Sequence, residues 1–203
     1  MSIARIPRML QRTMGGMTWH MDGREREVFL TFDDGPTPGV TSWVLDRLDE
    51  YGAKATFFCL GRNAEAHREL YQETLRRGHS VGNHTYSHLR GFSTSTTSYL
   101  DDVHLAASFI ESTLFRPPYG RILPRQVREV RKNFRIIMWE VLSVDYNRKL
   151  PGKHVAGNVT RNVRPGSIVV FHDSVKASKN LYHALPVVLD HLQKEGYRMR
   201  AIQ

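Results

Sequence analysis

Five short polar clusters each follow an apolar run in this 203-residue chain: Asp33 and Asp34 in "VFLTFDDGP", His84 and His88 in "HTYSH", Arg116 and Tyr119 in "RPPYG", Asp145 in "LSVDY", and His172 and Asp173 in "SIVVFHD". Two adjacent carboxylates at the end of a buried strand repel each other, so something must compensate them. Two imidazoles four residues apart share one face of a helical turn and can grip one metal ion. Two His and one carboxylate, with a position left open, is a common catalytic zinc arrangement. Such an ion lowers the pKa of bound water to about 7 and polarises a carbonyl. The remaining groups then divide the labour. One aspartate of the pair joins His84 and His88 on the metal, and the other serves as general base. His172 comes from a different strand end as the acid for a leaving group, its imidazole oriented by Asp145 or Asp173. Arg116 holds the base aspartate by a charge-assisted hydrogen bond.

Taken singly, each cluster has a structural explanation. An H-x-x-x-H pair is common on exposed helices, and "DDG" is a favoured turn. Their common placement at strand ends points instead to one composite site.

The elements that must position these groups alternate regularly. Strands are expected at 27–32, 54–60, 79–84, 114–116, 135–141, 167–172 and 197–202. Between them, helices are expected at 38–52, at 63–77, in a longer stretch carrying Leu100, Val103, Ala107, Ile110 and Leu114, from Pro124 onward, at 153–162 and at 180–195. Apolar runs without alternation suit strands buried on both faces, hence a parallel sheet. The fold class is α/β: a distorted seven-stranded (β/α) barrel in a single domain, with an open doubly wound sheet as the alternative that periodicity alone does not separate. In a parallel barrel the C-terminal strand ends share one rim, where such folds build active sites. Residues 1–26 read as a basic N-terminal arm and 27–203 as the catalytic domain.

Lys and Arg total 29 against 20 Asp and Glu, a net charge of +9. In "RQVREVRKNFR", Arg125, Arg128, Lys132 and Arg135 fall on roughly one helical face, which is either a solvated surface or a site for an anion. No nucleic-acid recognition motif accompanies the charge, so no nucleic-acid partner is expected. The single cysteine, Cys59, reads as a small buried hydrophobe. No segment reaches the roughly 18 apolar residues that span a bilayer, and the start does not read as a cleavable secretory signal. The expected location is the cytoplasm or the cytoplasmic membrane surface, with the basic arm packed on the domain or touching the membrane peripherally.

"TFDDGP", "HTYSH", "RPPYG" and "SIVVFHD", in this order, resemble the polysaccharide deacetylases of carbohydrate esterase family 4, and the likeness runs from about Val28 to Ile202. The resemblance implies a distorted (β/α) barrel and a role for each matched residue. Asp33 would be the catalytic base. Asp34, His84 and His88 would bind a divalent metal, usually zinc. Arg116 would orient Asp33, and Tyr119 would line the groove and offer its backbone N–H to the oxyanion. His172 would be the acid, tuned by Asp145. The implied reaction removes an N-acetyl group from an amino-sugar saccharide, either a chitooligosaccharide, a peptidoglycan-type polymer or a glycan precursor, and releases acetate. Two positions depart from the family pattern: the fourth motif here is "LSVDY", with Leu142 and Tyr146 at its outer positions, and Phe171 precedes the acid. Tyr146 and Phe171 are therefore expected to contact substrate. Two competing functions are hydrolysis of a small cyclic imide or amide on the same scaffold, and non-catalytic glycan binding. Loss of Asp33 or His172 would be the signature of the binding module, and both are present.

Overall fold

Strand β1 (Glu27–Asp33) is buried along nearly its whole length, and the period of two along a strand sorts its side chains onto two faces. Val28, Leu30 and Phe32 point outward into the main apolar core, together with buried residues of the surrounding helices. Phe29 points the other way, into a second cluster with Phe58, Leu114, Ile137, Ile168 and Ile202. Thr31 and Asp33 share that inner face, where both meet the Arg116 guanidinium. A continuous apolar run that ends in a carboxylate is thus a strand with a helix-covered outside and a barrel interior, and its parity aims Asp33 inward.

In the computed structural model, which describes residues 15–22 and 25–203, seven further strands follow: β2 (Thr56–Cys59), β3 (Ser80–Asn83), β4 (Leu114–Phe115), β5 (Arg135–Ile136), β6 (Val141–Leu142), β7 (Ile168–His172) and β8 (Arg198–Met199). They pair in the order β5-β4-β3-β2-β1-β7-β6, all in parallel, and β8 joins β1 off this path. Around them run helices α1 (Val40–Glu50), α2 (Gly61–Ala66), α3 (Arg68–Arg76), α4 (Thr96–Ala107), α5 (Pro124–Val130), α6 (Gly152–Thr160) and α7 (Ser178–Lys194).

The strand expected at 135–141 is broken in two, and the break explains the architecture. β5 pairs with β4 at one edge of the sheet and β6 with β7 at the other. The chain between them links the edges: the Ile137 N–H donates to the Phe115 carbonyl at 2.8 Å and the Glu140 N–H to the Ile168 carbonyl at 3.0 Å. β5 and β6 are therefore halves of one stave, and the sheet closes into a distorted seven-staved barrel instead of staying open.

Other expected elements are shorter than anticipated. The helix at 63–77 divides into α2 and α3 at His67, whose φ of −124° and ψ of 52° are not helical. α4 ends at Ala107, so Ile110 and Leu114 lie beyond it, and Leu114 opens β4. α5 ends at Val130, which removes the basic helical face: Arg135 opens β5 and donates to the Gln203 carbonyl at 2.6 Å, while Lys132 pairs with Glu129 at 2.5 Å. Cys59 is buried and free.

The described part of the N-terminal segment is tied into the barrel. Thr18 bridges Ile137, His20 bridges Ser167, and Trp19 is buried between them. The rest of the expected basic arm, residues 1–14 and 23–24, lies outside the described residues, and so does the membrane contact assigned to it. Among the described residues, no helix is long and apolar enough to cross a membrane.

Candidate active site

The C-terminal strand ends of the barrel open into a cleft of about 400 Å³, lined by Asp33, Asp34, His84, His88, Tyr119, Tyr146 and His172, among others. The clusters picked out by residue type do converge. Their backbone departs from ordinary geometry in the same place. The five non-glycine residues with positive φ among those described are Asp34 (81°), Thr85 (65°), His88 (64°), Tyr119 (60°) and Val144 (65°). Each belongs to a site motif, and for Thr85 and Val144, which are β-branched, that conformation is unfavourable by roughly 1–3 kcal/mol. The barrel walls hold the strain, which turns the side chains of these loops into the cleft.

Arg116 is fully buried inside the barrel, just past β4. Its guanidinium donates to Asp33 Oδ1 and Thr31 Oγ1, both at 2.7 Å, and to the Ile137 and Met138 carbonyls at 3.2 and 3.0 Å. It also lies 4.0 Å over the Phe58 ring. Every face of the cation is occupied, so Asp33 faces a fixed charge. Burial works against the Asp33 carboxylate, but Arg116, then His84 and His172, outweigh it and bring the group below its ordinary 3.8. It is an ionised carboxylate held in one orientation.

Asp34 turns the opposite way, through its positive φ. His84 and His88 do not lie on a helical turn, as their spacing suggested. They sit in the loop after β3, and positive φ at Thr85 and His88 curls that loop so that both rings meet Asp34. Their Nε2 atoms lie 3.8 and 3.3 Å from Asp34 Oδ1. Asp102 on α4 clamps the loop, accepting from the Tyr86 N–H at 2.9 Å, the Ser87 N–H at 3.0 Å and the Ser87 hydroxyl at 2.7 Å. The Thr85 hydroxyl adds a fourth tie by accepting from the His88 N–H at 3.0 Å.

These three residues fit a divalent cation. His84 Nδ1 stands 2.7 Å from the Arg116 carbonyl, which can only accept, so Nδ1 carries the proton and Nε2 keeps its lone pair. Burial keeps both rings neutral, and that of His88, with the neighbouring His84, is pushed down to about 4. Asp34 Oδ1 is buried with no hydrogen-bond partner, a costly state for a carboxylate oxygen unless a cation meets it. One donor atom from each residue falls within a mutual 4.8 Å, the donor set of a His₂–carboxylate site.

On the facing wall, β7 delivers His172 beside Asp33, its register partner on β1. Asp145 accepts from His172 twice, from the ring Nδ1–H and from the backbone N–H, both at 2.7 Å. Burial disfavours the imidazolium, but Asp145, and then Asp34 and Asp33, more than offset that and raise His172 to about 9. The orienting carboxylate is thus Asp145. Asp173 faces elsewhere, accepting from the Gly35 N–H at 3.1 Å and the Thr41 hydroxyl at 2.5 Å, so it braces the turn after Asp34.

Tyr119 and Tyr146 line the cleft as expected, Tyr119 with its ring 4.6 Å from His88 and Tyr146 edge-on at 5.2 Å from His172. Phe171 does not. It is fully buried in the outer core and stacked 5.9 Å from Phe32. Strand parity is the reason: His172 faces inward, so its neighbour faces outward, and Val170 lines the cleft instead. Gly120, Leu142, Trp139, Arg90, Arg121 and Lys176 complete the lining. Of these, Trp139 and the three cations were not singled out from the sequence: Trp139 lies within the apolar run expected as one strand over 135–141, and the cations lie in irregular segments without a motif or a period.

The sequence profile of the polysaccharide deacetylase family matches residues 20–137. A peptidoglycan-N-acetylglucosamine deacetylase of Bacillus cereus is 32% identical over 191 residues, covering 91% of this chain and 90% of that protein. The peptidoglycan-N-acetylmuramic acid deacetylase PdaC of Bacillus subtilis is 29% identical over 185 residues, which cover 88% of this chain but 38% of that longer protein. Among solved structures, a peptidoglycan N-acetylglucosamine deacetylase in complex with 4-naphthalen-1-yl-N-oxidanyl-benzamide superposes with a TM-score of 0.85 at 29% identity, covering 96% of this chain and 94% of that one. A family 4 carbohydrate esterase from Streptomyces lividans in complex with acetate superposes at 0.77 and 27% identity, over 90% of this chain and 94% of that one. With the profile spanning more than half of its length and a relative aligned nearly end to end, this chain belongs to the polysaccharide deacetylase family, carbohydrate esterase family 4, and is a hydrolase of the deacetylase type.

Proposed function

We propose that this protein is a metal-dependent N-deacetylase of amino-sugar saccharides of the peptidoglycan type. The observation that carries this is the division of one cleft into three parts. These are an ionised Asp33 clamped by Arg116, a neutral His84–His88 pair converging on Asp34, and an imidazolium at His172 backed by Asp145. The similarity to deacetylases of peptidoglycan N-acetylglucosamine and N-acetylmuramic acid supports the substrate class.

Asp34, His84 and His88 would hold a divalent ion, for which zinc is the expectation from the donor set. Bound there, it supplies Lewis acidity toward the acetyl carbonyl and the attacking water. Asp33 takes a proton from the water as its oxygen bonds to the acetyl carbon. His172 gives its proton to the amide nitrogen as the C–N bond breaks, so acetate and a free amine leave. Arg116 keeps Asp33 ionised and aimed, and the backbone N–H of Tyr119 is the donor offered to the carbonyl oxygen as it gains charge. The rings of Tyr119 and Tyr146 flank the sugar.

The test is acetate release by zinc-loaded protein from N-acetylglucosamine oligomers of increasing length and from peptidoglycan fragments. Asp33→Asn should keep one zinc per chain and lose nearly all turnover. Substantial turnover by that variant would refute the role of Asp33. No release by the wild type from any of these substrates would refute the deacetylase proposal itself.

A further inference from the structure

Arg90, Arg121 and Lys176 all line the active-site cleft, are exposed, and have no acidic partner among the described residues. Aromatic rings hold two of them in place. Arg90 lies 4.7 Å over Tyr119, on the wall that carries His88, and Lys176 lies 5.6 Å over Tyr146, on the wall that carries His172. Arg148 fixes the loop under Lys176 by donating to the Lys176 and Val175 carbonyls at 3.2 and 3.4 Å. Among the described residues, the only acids lining the cleft are Asp33 and Asp34, and both have work: Asp33 pairs with Arg116, and Asp34 faces the imidazoles. A mouth lined by cations without counter-charges, above low-dielectric walls, concentrates anions. The rings orient these cations and also offer faces on which a sugar can lie.

We infer that the cleft mouth is an anion subsite, and that the preferred substrate carries an anionic group, a carboxylate or a phosphate, on the sugar next to the one deacetylated. This rests on the deacetylase reading of the same cleft. Arg90 and Lys176 flank the reacting centre on opposite walls, so the anionic group lies outside the metal and acid positions and its recognition is separate from the chemistry.

The experiment measures binding, so that turnover is not needed. Zinc-loaded Asp33→Asn protein is titrated with three tetrasaccharides: all N-acetylglucosamine, the same chain with lactyl-ether carboxylates on alternate residues, and the same chain with a phosphate at its reducing end. One charged form should bind about tenfold more tightly than the neutral one at low salt, and that advantage should shrink as salt rises. Which of the two gains identifies the anion as carboxylate or phosphate. Adding Arg90→Gln, Arg121→Gln and Lys176→Gln should remove most of the advantage, with an unchanged circular dichroism spectrum showing that the fold is intact. Equal affinity for all three ligands would overturn the inference, and so would an advantage that survives the triple substitution. Wild-type protein that releases no acetate from any of the three would sink the deacetylase reading alone, because the affinity ratios are read independently.

Discussion

Replacing Asp145 by Asn tests the acid side of the mechanism. In the folded protein His172 stands at about 9 against an ordinary 6.5. At 1.36 kcal/mol per pKa unit, this is a preference of about 3 kcal/mol for the imidazolium. Asp145 carries most of it. It is fully buried, it accepts twice from His172 at 2.7 Å, and the lesser contribution of Asp34 is offset once that carboxylate holds a divalent ion. Asparagine keeps one oxygen, which can still accept from the Nδ1–H and hold the ring, while the charge and the bond from the His172 backbone N–H are removed. His172 should then fall back toward 6.5. At pH 7.5 the protonated fraction would drop from about 97% to about 10%, so kcat should fall about tenfold there and little at pH 6.

The assay is kcat for acetate release from pH 5.5 to 10, wild type against Asp145→Asn. The alkaline limb near 9 should move down by about 2.5 units, to about 6.5. A second readout follows from linkage. The folded pKa of His172 lies above its unfolded value, so its contribution to stability is complete below pH 6.5 and is lost as pH rises through 9. Urea midpoints should decline over that window in the wild type and stay flatter in the variant. An alkaline limb that remains near 9 in Asp145→Asn, or a loss that is equal at every pH, would refute the assignment of His172 as an acid tuned by Asp145.

Asp102→Ala removes three hydrogen bonds from the His84–His88 loop, and the zinc dissociation constant should rise about 10- to 100-fold in a competition titration. Chelating the metal should lower the melting temperature of the wild type but not that of Asp34→Ala, since a ligand confined to the native state stabilises only a protein able to bind it. Phe171→Ala should cost about 3–5 kcal/mol in chemical denaturation and leave the acetyl-over-propionyl ratio unchanged, whereas Leu142→Ala, altering the cleft lining, should shift that ratio. His79 is held at about 4 by burial and by the charge of Lys54, and its Nδ1 accepts the Ala55 N–H at 3.2 Å. Its folded pKa lies below 6.5, so its contribution of about 3 kcal/mol is present above that pH and lost as pH falls toward 4. His79→Gln should therefore flatten the drop in urea midpoint between pH 6.5 and 5.

What could be foreseen from the sequence and what could not differ for physical reasons. The polar clusters were legible because each ends an apolar run, and in a parallel barrel every run ends on the same rim. The broken stave at 135–142 was not, since the backbone bonds that carry it from one sheet edge to the other leave no trace in side-chain type. The His84–His88 loop imitated a helical spacing because a positive φ at a β-branched residue such as Thr85 is unfavourable and is sustained here by a tertiary clamp from Asp102 together with a local bond from the Thr85 N–H to the Asn83 side chain. The cations at the mouth lie in loops with no period to read. Phe171 is a different case, because the information to place it was present. A strand cannot turn neighbouring side chains to the same face. Once Asp33 and His172 were both assigned to the barrel interior, parity alone required Phe32 and Phe171 to lie outside it. There they stack on each other between the sheet and its helices.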